Sequence, residues 1–350
     1  MEDLVDDLDG VLAQTAGLWE DLRGSRVLIT GGTGFFGCWM LETLLRANAR
    51  LGVGASAVVL TRNARAFTGK APRLASNSAV TLLQGDIRGW TWSGGALSHV
   101  IHAGTETQAP VTPDDRRRVF DTIVEGTRRT LDAAERAGAT RFLMTSTGAV
   151  YGRQPAALLR VGEDYTGAPD TTCPRAAGAE AKRAAEMLCA LAAEGPLHST
   201  IARCFAFVGP YLPLDTHLAI GNFLGAALAG RPIEIHGDGT PLRSYMYAAD
   251  LAAWLWTILL RGARGRAYNV GSEEEISIAD AAKAVAQTAG SGAGVKIARK
   301  APGGPAERYV PSTERARTEL GVTMTVDFET ALRRTVAWHR ARGTADHGAC

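Results

Sequence analysis

The sequence predicts an α/β protein built on a doubly wound parallel sheet of about seven strands, with a smaller C-terminal lobe and an N-terminal helical extension. Three observations predict it. From Arg26 onward, short apolar runs alternate with longer helical stretches, the pattern of βαβ units. Three glycines separate the first run from the first long helix. After Pro210 the chain becomes richer in Gly and Pro and its spacing irregular, as a lobe grafted on a sheet would be. At 350 residues and 46% hydrophobic, it can bury a sizeable core.

Residues 1–24 set Leu4, Val5, Leu8, Val11, Leu12, Leu18 and Leu22 between acids, the stripe of an amphipathic helix that packs on the main domain. Strands are expected at RVLIT (26–30), AVVLT (57–61), VTLLQG (80–85), HVIHAG (99–104), RFLMTS (141–146), STIARCF (199–205) and RAYNVG (266–271). Helices fit near 34–49, 113–137, 175–194 and 246–262. The formal net charge is +2 and the charges are dispersed, which argues against a nucleic-acid partner. No apolar run approaches the roughly 18 residues of a membrane span, so a cytoplasmic protein with no membrane partner is expected. Cys38, Cys173, Cys189, Cys204 and Cys350 are scattered, with no metal-type pairing, and read as reduced thiols; no metal is expected.

In VLITGGTGFFG, Gly31, Gly34 and Gly37 stand in the spacing G-x-x-G-x-x-G between strand and helix. Small residues let the backbone turn sharply and approach a pyrophosphate, whose charge then sits at the positive helix N-terminus. Because the pattern opens the first βαβ unit, it predicts a Rossmann-type dinucleotide site. The division that follows is an extension over 1–24, a dinucleotide-binding domain over 25–205, and a substrate lobe over 206–345, with about 245–271 returning to the sheet. At the end of the second strand, where an acid would bind the adenosine ribose, stand Thr61 and Arg62. An arginine suits a 2′-phosphate, favouring NADP over NAD, although Arg62 also reads as a solvated loop charge. Asp86, closing the third strand, is either an acceptor for the adenine amino group or a turn cap.

Across about residues 25–340 the chain resembles the extended short-chain dehydrogenase/reductase superfamily of nucleotide-sugar epimerases, dehydratases and decarboxylases. The carriers are TGGTGFFG, GDI, VIHAG, MTSTGAVYG, the helix with Lys182, RCFAFVGP, the run from Asn222 to Leu251, YNVGS and ERYVPSTERARTELG. The stretch 222–251 is most similar to the UDP-glucuronate decarboxylase and dTDP-glucose 4,6-dehydratase branch. The resemblance implies that a bound nicotinamide oxidises a sugar hydroxyl, with Thr147 and Lys182 as catalytic residues. Thr147 would bond the reacting oxygen, and Lys182 would hold the nicotinamide ribose and lower a neighbouring phenol's pKa. It further implies cofactor contacts from Phe35, Phe36, Ile87, Ala103, Gly104 and Phe205. Substrate contacts are implied from Thr105, Ala206, Asn222, Arg243, Asn269 and Arg308, and a homodimer is implied as well.

Several positions depart from that pattern. The family's catalytic tyrosine falls on Gly178, four residues before Lys182. The dehydratases' Asp-Glu after the threonine, and the decarboxylases' Glu before VYG, become Gly148 and Ala149; an often-found asparagine becomes Ile123, and an arginine becomes Ala301. Three readings stay open for Gly178. Another group, Tyr165, Glu180 or His217, serves as acid/base; or the protein binds cofactor and sugar nucleotide without turnover; or the glycine is foreign to the natural chain. The expected function is an NAD(P)-dependent nucleotide-sugar oxidoreductase of epimerase or ketoreductase type, with a non-catalytic binding protein as the alternative.

Overall fold

In the computed structural model, described over residues 4–105, 112–215, 218–292, 294–300 and 303–346, the chain opens with helix α1 (Val5–Gln14). Its Leu8, Val11 and Leu12 are buried at the i, i+3, i+4 spacing of a helix face. Asp7 is buried with them: the Tyr247 hydroxyl donates to Asp7 Oδ2 at 2.5 Å, and Arg334 pairs with its other oxygen. The extension is therefore tied to distant parts of the chain by both an apolar stripe and a paired charge.

The main body follows as β1 (Arg26–Thr30), α2 (Phe35–Leu51), β2 (Ser56–Thr61), α3 (Ala64–Lys70), α4 (Pro72–Ala75), β3 (Val80–Gln84) and β4 (His99–His102). Then come α5 (Pro113–Arg136), β5 (Arg141–Thr147), α6 (Ala177–Ala192) and β6 (His198–Cys204). The second part comprises β7 (Phe207–Val208), α7 (Ala219–Leu228), β8 (Ile233–Ile235), β9 (Leu242–Arg243), β10 (Met246–Tyr247), α8 (Ala248–Arg261) and β11 (Ala267–Val270). It ends with β12 (Ile276–Ser277), α9 (Ile278–Thr288), β13 (Val295–Ile297), β14 (Arg308–Tyr309), α10 (Glu314–Leu320) and α11 (Phe328–Asp346).

Seven strands form one sheet in the order β11-β6-β5-β4-β1-β2-β3, and every neighbouring pair is parallel. The reversal of strand order beside β1 is the topological switch point, where open α/β sheets bind ligands. Both faces are covered, so strands are apolar on both sides: Val27 and Ile29 pack into one layer with Trp39 and Leu255, and Leu28 into the other with Phe142 and Ala185. Register aligns Thr30 with His102, His102 with Met144, and Thr147 with Cys204, which gathers the C-terminal ends of β1, β4, β5 and β6 along one edge.

The lobe carries a three-stranded sheet, β12-β9-β14, in which β14 runs parallel to β9 and sets Tyr309 opposite Arg243. An isolated parallel bridge between Val161 and Pro311 ties the segment after β14 to the loop beyond β5. Among the described residues, no helix is long and apolar enough to cross a membrane, and no group of three or more His, Cys, Asp or Glu could hold a metal ion. The four described cysteines are free thiols.

Candidate active site

The glycine turn is built for close approach. Gly31 has φ +69°, the left-handed region, and a Cβ there would stand 2.4 Å from the Ala103 carbonyl oxygen. Glycine alone suits both demands, so β1 and the loop after β4 can touch at the sheet's edge. Gly34 caps α2, and a Cβ on Gly37 would meet Gly32 Cα at 2.3 Å, so the helix starts pressed against the turn. Phe35 and Phe36 lie in the helix's first turn, Phe36 edge-on to Phe207 at 5.1 Å. Next door, Ile87 packs against Gly104, whose N–H donates to the Thr30 hydroxyl at 3.1 Å. That hydroxyl also bonds His102 Nδ1 at 2.8 Å, while His102 Nε2 meets Thr127 at 3.0 Å. Burial holds this imidazole's pKa down to about 3, with the Lys182 charge adding to the shift, so His102 is a neutral brace.

At the far side of the turn, Thr61 is buried and accepts from the Asn63 N–H at 3.3 Å, whereas Arg62 is exposed. Asp86 accepts from Arg88 at 2.7 and 3.0 Å and from the Arg88 N–H at 2.9 Å; these bonds, then the charges of Arg88 and Arg62, pull its pKa down to about 2. Lys70, at the end of α3, donates to the Thr33 carbonyl at 3.0 Å. It places a second cation on the turn, one that sequence spacing gives no reason to single out.

The centre lies at the end of β5. Lys182, on α6, is buried and donates to the Thr145 carbonyl at 2.7 Å. Burial pushes its pKa down to about 8, and the neighbouring Cys204, Cys189 and Glu186 oppose that shift. Two residues on, the Thr147 hydroxyl accepts from the Ala149 N–H at 3.2 Å and shares a hydrogen bond, also 3.2 Å, with the hydroxyl of Tyr309. Tyr309 comes from the lobe, 162 residues away in the chain. Its ring packs on Phe205 at 4.7 Å between centroids, and the Arg243 guanidinium lies over it at 5.8 Å. Phe205 in turn covers Gly148, where a Cβ would fall 2.6 Å from the ring. Gly178 opens on space by contrast, its nearest neighbour being Val119 Cγ1 at 3.7 Å from a built Cβ.

A parallel sheet, a glycine turn at the switch point, a threonine at the end of β5 and a lysine bonded to that strand from α6 are one assembly, and a family model described as "NAD dependent epimerase/dehydratase family" matches residues 27–271. The chain belongs to that family. Among curated relatives of the epimerase/dehydratase family, UDP-glucuronic acid decarboxylase 1 of Xenopus tropicalis is 27% identical over 319 residues, covering 90% of this chain and 72% of the relative. The dTDP-glucose 4,6-dehydratase of Streptomyces niveus is 27% identical over 325 residues, 90% and 93% of the two chains. Among solved structures, an epimerase of Methanothermobacter thermautotrophicus superimposes with TM-score 0.80 at 21% identity, over 97% and 98% of the chains. A dTDP-glucose 4,6-dehydratase of Streptomyces venezuelae, solved with NAD bound, gives TM-score 0.77 at 25% identity over 91% and 98%.

The remaining positions singled out by their resemblance to this family fall in different surroundings. Arg243 reaches the site over Tyr309, donating also to Glu307 at 3.3 Å. Ala206 sits at its edge, its carbonyl accepting from Met246 N–H at 3.0 Å. Thr105 is exposed at the end of the loop after β4. Asn222 is exposed on α7, and Arg308 donates to Glu275 at 3.2 Å and to the Ala156 carbonyl at 3.4 Å. Asn269 is wholly buried: its amide donates to the Val161 and Ser312 carbonyls, both at 2.9 Å, and accepts from the Tyr151 hydroxyl at 2.8 Å. That side chain spends its polar groups on stitching β11 to the loops that carry the lobe. Of the replacement acids, the Tyr165 ring lies tilted to that of Tyr151 at 6.3 Å, Glu180 pairs with Arg183 at 3.6 Å, and His217 lies outside the described residues, as do Ala301 and Cys350; Ile123 is buried in α5.

Proposed function

We propose that the protein is an NAD(P)-dependent oxidoreductase acting on a nucleotide sugar, with epimerase or ketoreductase-type chemistry. The observation that carries this reading is the Gly31 turn, closed to 2.4 Å against Ala103 for any side chain, beside the strand end that presents Thr147 and the Lys182 amine. That cradle fits a dinucleotide pyrophosphate, which the first N–H groups of α2 would bind. A bound nicotinamide supplies reversible hydride exchange. The chain's own residues do the rest: Thr147 orients the reacting oxygen, Lys182 sets a fixed amine at the Thr145 carbonyl two residues earlier on β5, and Arg243 takes the sugar-nucleotide diphosphate. Arg62, just past the end of β2, favours NADP over NAD.

A second reading, a binding protein without turnover, is favoured by one observation: Gly178 on α6 has no side chain with which to move a proton. The two are separated by incubating the protein with NADP or NAD and UDP-, dTDP-, GDP- and CDP-hexoses, while following binding by calorimetry and conversion at the nicotinamide absorbance. Heat with conversion supports the enzyme; heat without conversion supports the binder; no heat from either ligand class rejects both. A homodimer through α5 and α6 fits the exposed Phe120, Met187 and Leu191 on those helices, and light scattering should return twice the 36.9 kDa chain mass.

A further inference from the structure

The site has a phenol, supplied by a part of the chain far from α6. We propose that Tyr309, carried by the lobe strand β14, is the group that exchanges a proton with the sugar hydroxyl at Thr147. The inference rests on the nucleotide-sugar reading above and deepens it by naming the acid/base.

Three observations place it there. The Tyr309 hydroxyl meets Thr147 Oγ1 at 3.2 Å, so whatever oxygen Thr147 orients is within reach of the phenol. Phe205 and Arg243 both pack against the ring, at 4.7 and 5.8 Å from its centroid. Finally, the bare Gly148 is a condition of this arrangement, because a side chain there would displace Phe205, on which the Tyr309 ring rests. The groups facing the phenol are Thr147 and Gly148 at the end of β5, Cys204 on β6 and Arg243 on β9. Burial raises its pKa to about 12, the hydrogen bond with Thr147 and the Arg243 charge opposing. In the resting protein Tyr309 is accordingly a neutral acid, suited first to giving a proton to a carbonyl oxygen.

The step balances. In the reducing direction a hydride arrives at the carbonyl carbon from the reduced nicotinamide, the C=O π pair moves to oxygen, and the Tyr309 O–H proton passes to that oxygen; alcohol and phenolate result. In the oxidising direction the O–H and C–H bonds of the alcohol break, the proton returns to Tyr309, and the hydride leaves to the oxidised nicotinamide. Because β14 belongs to the lobe, the acid meets Thr147 through the packing of the lobe on the sheet.

The test is Tyr309→Phe, which keeps the ring that packs on Phe205. With NADP or NAD and UDP-glucose, dTDP-glucose, GDP-mannose or CDP-glucose as probes, kcat should fall by about 10²–10⁴-fold, the usual loss of a general acid/base. Calorimetric affinities for coenzyme and for the converted probe should stay within about threefold, since the hydroxyl is asked to act on the reacting oxygen alone. In the Tyr309→Phe background, Gly178→Tyr should restore hydride transfer by putting a phenol back on α6, where space is open. Turnover in Tyr309→Phe within threefold of the parent, or above it, overturns the proposal; a rise would mark the phenol as an obstacle in the sugar's place. A parent that binds both ligands without hydride transfer also overturns it and leaves the binding reading standing, whereas failure to bind either removes the functional reading itself.

Discussion

Replacing Lys182 with methionine should stabilise the ligand-free protein near neutral pH while removing its use of a dinucleotide. The amine is 7% exposed and makes one hydrogen bond, to the Thr145 carbonyl. Burial lowers its pKa from 10.5 to about 8. In the unfolded chain the amine is protonated below its ordinary value; in the folded chain it is protonated only below about 8. The penalty is therefore complete below that folded value and is relieved as pH rises toward 10.5. A gap of about 2.5 pH units corresponds to about 3 kcal/mol of destabilisation at neutral pH. Methionine removes that penalty but leaves the Thr145 carbonyl unpaired, which costs about 1–2 kcal/mol, for a net gain of about 1–2 kcal/mol at about pH 7. At about pH 9.5 roughly 2 kcal/mol of the penalty has already been relieved in the parent, so the advantage should have disappeared. Urea unfolding followed by the emission of the seven tryptophans, at both pH values, measures the difference. A gap between the two proteins that does not change with pH, or that widens as pH rises, would refute the claim that a desolvated amine sits at the end of β5.

Three further outcomes are expected. Gly31→Ala puts a Cβ into the left-handed region, at about 1–2 kcal/mol, and against the Ala103 carbonyl; dinucleotide binding by calorimetry should weaken more than about tenfold. Arg62→Glu should lower affinity for NADP by at least about tenfold and leave NAD within about threefold, because only the former carries a 2′-phosphate; equal losses for both would remove the coenzyme preference proposed here. Gly148→Asp drives a side chain into the Phe205 ring and should destabilise by about 1–3 kcal/mol in chemical unfolding, with turnover falling as Tyr309 loses its support.

What the sequence shows and hides follows from distance along the chain. The strands at 26–30, 57–61, 80–85, 99–104, 141–146, 199–205 and 266–271 are legible because a strand buried on both faces must be a short apolar run, and each strand of the seven-stranded sheet falls on one of them within about two residues. Gly31 is legible because φ and close approach act within one turn. The lobe is read only as irregular: β9, β12 and β14 are two residues each, too short for any period to register. Asn269 shows the opposite failure. Its motif marks a polar residue at a strand end but says nothing of Val161, Ser312 and Tyr151, which take up its hydrogen bonds.

The same limit explains why a reading of α6 alone finds no phenol. A phenol four residues before a lysine is visible as spacing, since both lie on one helix face. Tyr309 shares no such face with Lys182; it reaches Thr147 through the parallel pairing of β14 with β9, the bridge from Val161 to Pro311, and the Phe205 ring. The last two of those contacts join the lobe to the main body. A proton carried on the lobe makes docking of the lobe part of the chemistry, so weakening the docking should cost turnover even where both ligands still bind. Arg203 offers the discriminating case. It ties β6 to α6 and to the VYG turn through Glu186 at 2.7 Å and the Tyr151 hydroxyl at 2.9 Å, and that hydroxyl leads on to Asn269 at the root of the lobe. Arg203→Lys keeps a charge opposite Glu186 yet cannot span both partners, so it should lower kcat more than it raises KM, the split expected when a positioned group, rather than a binding contact, is disturbed.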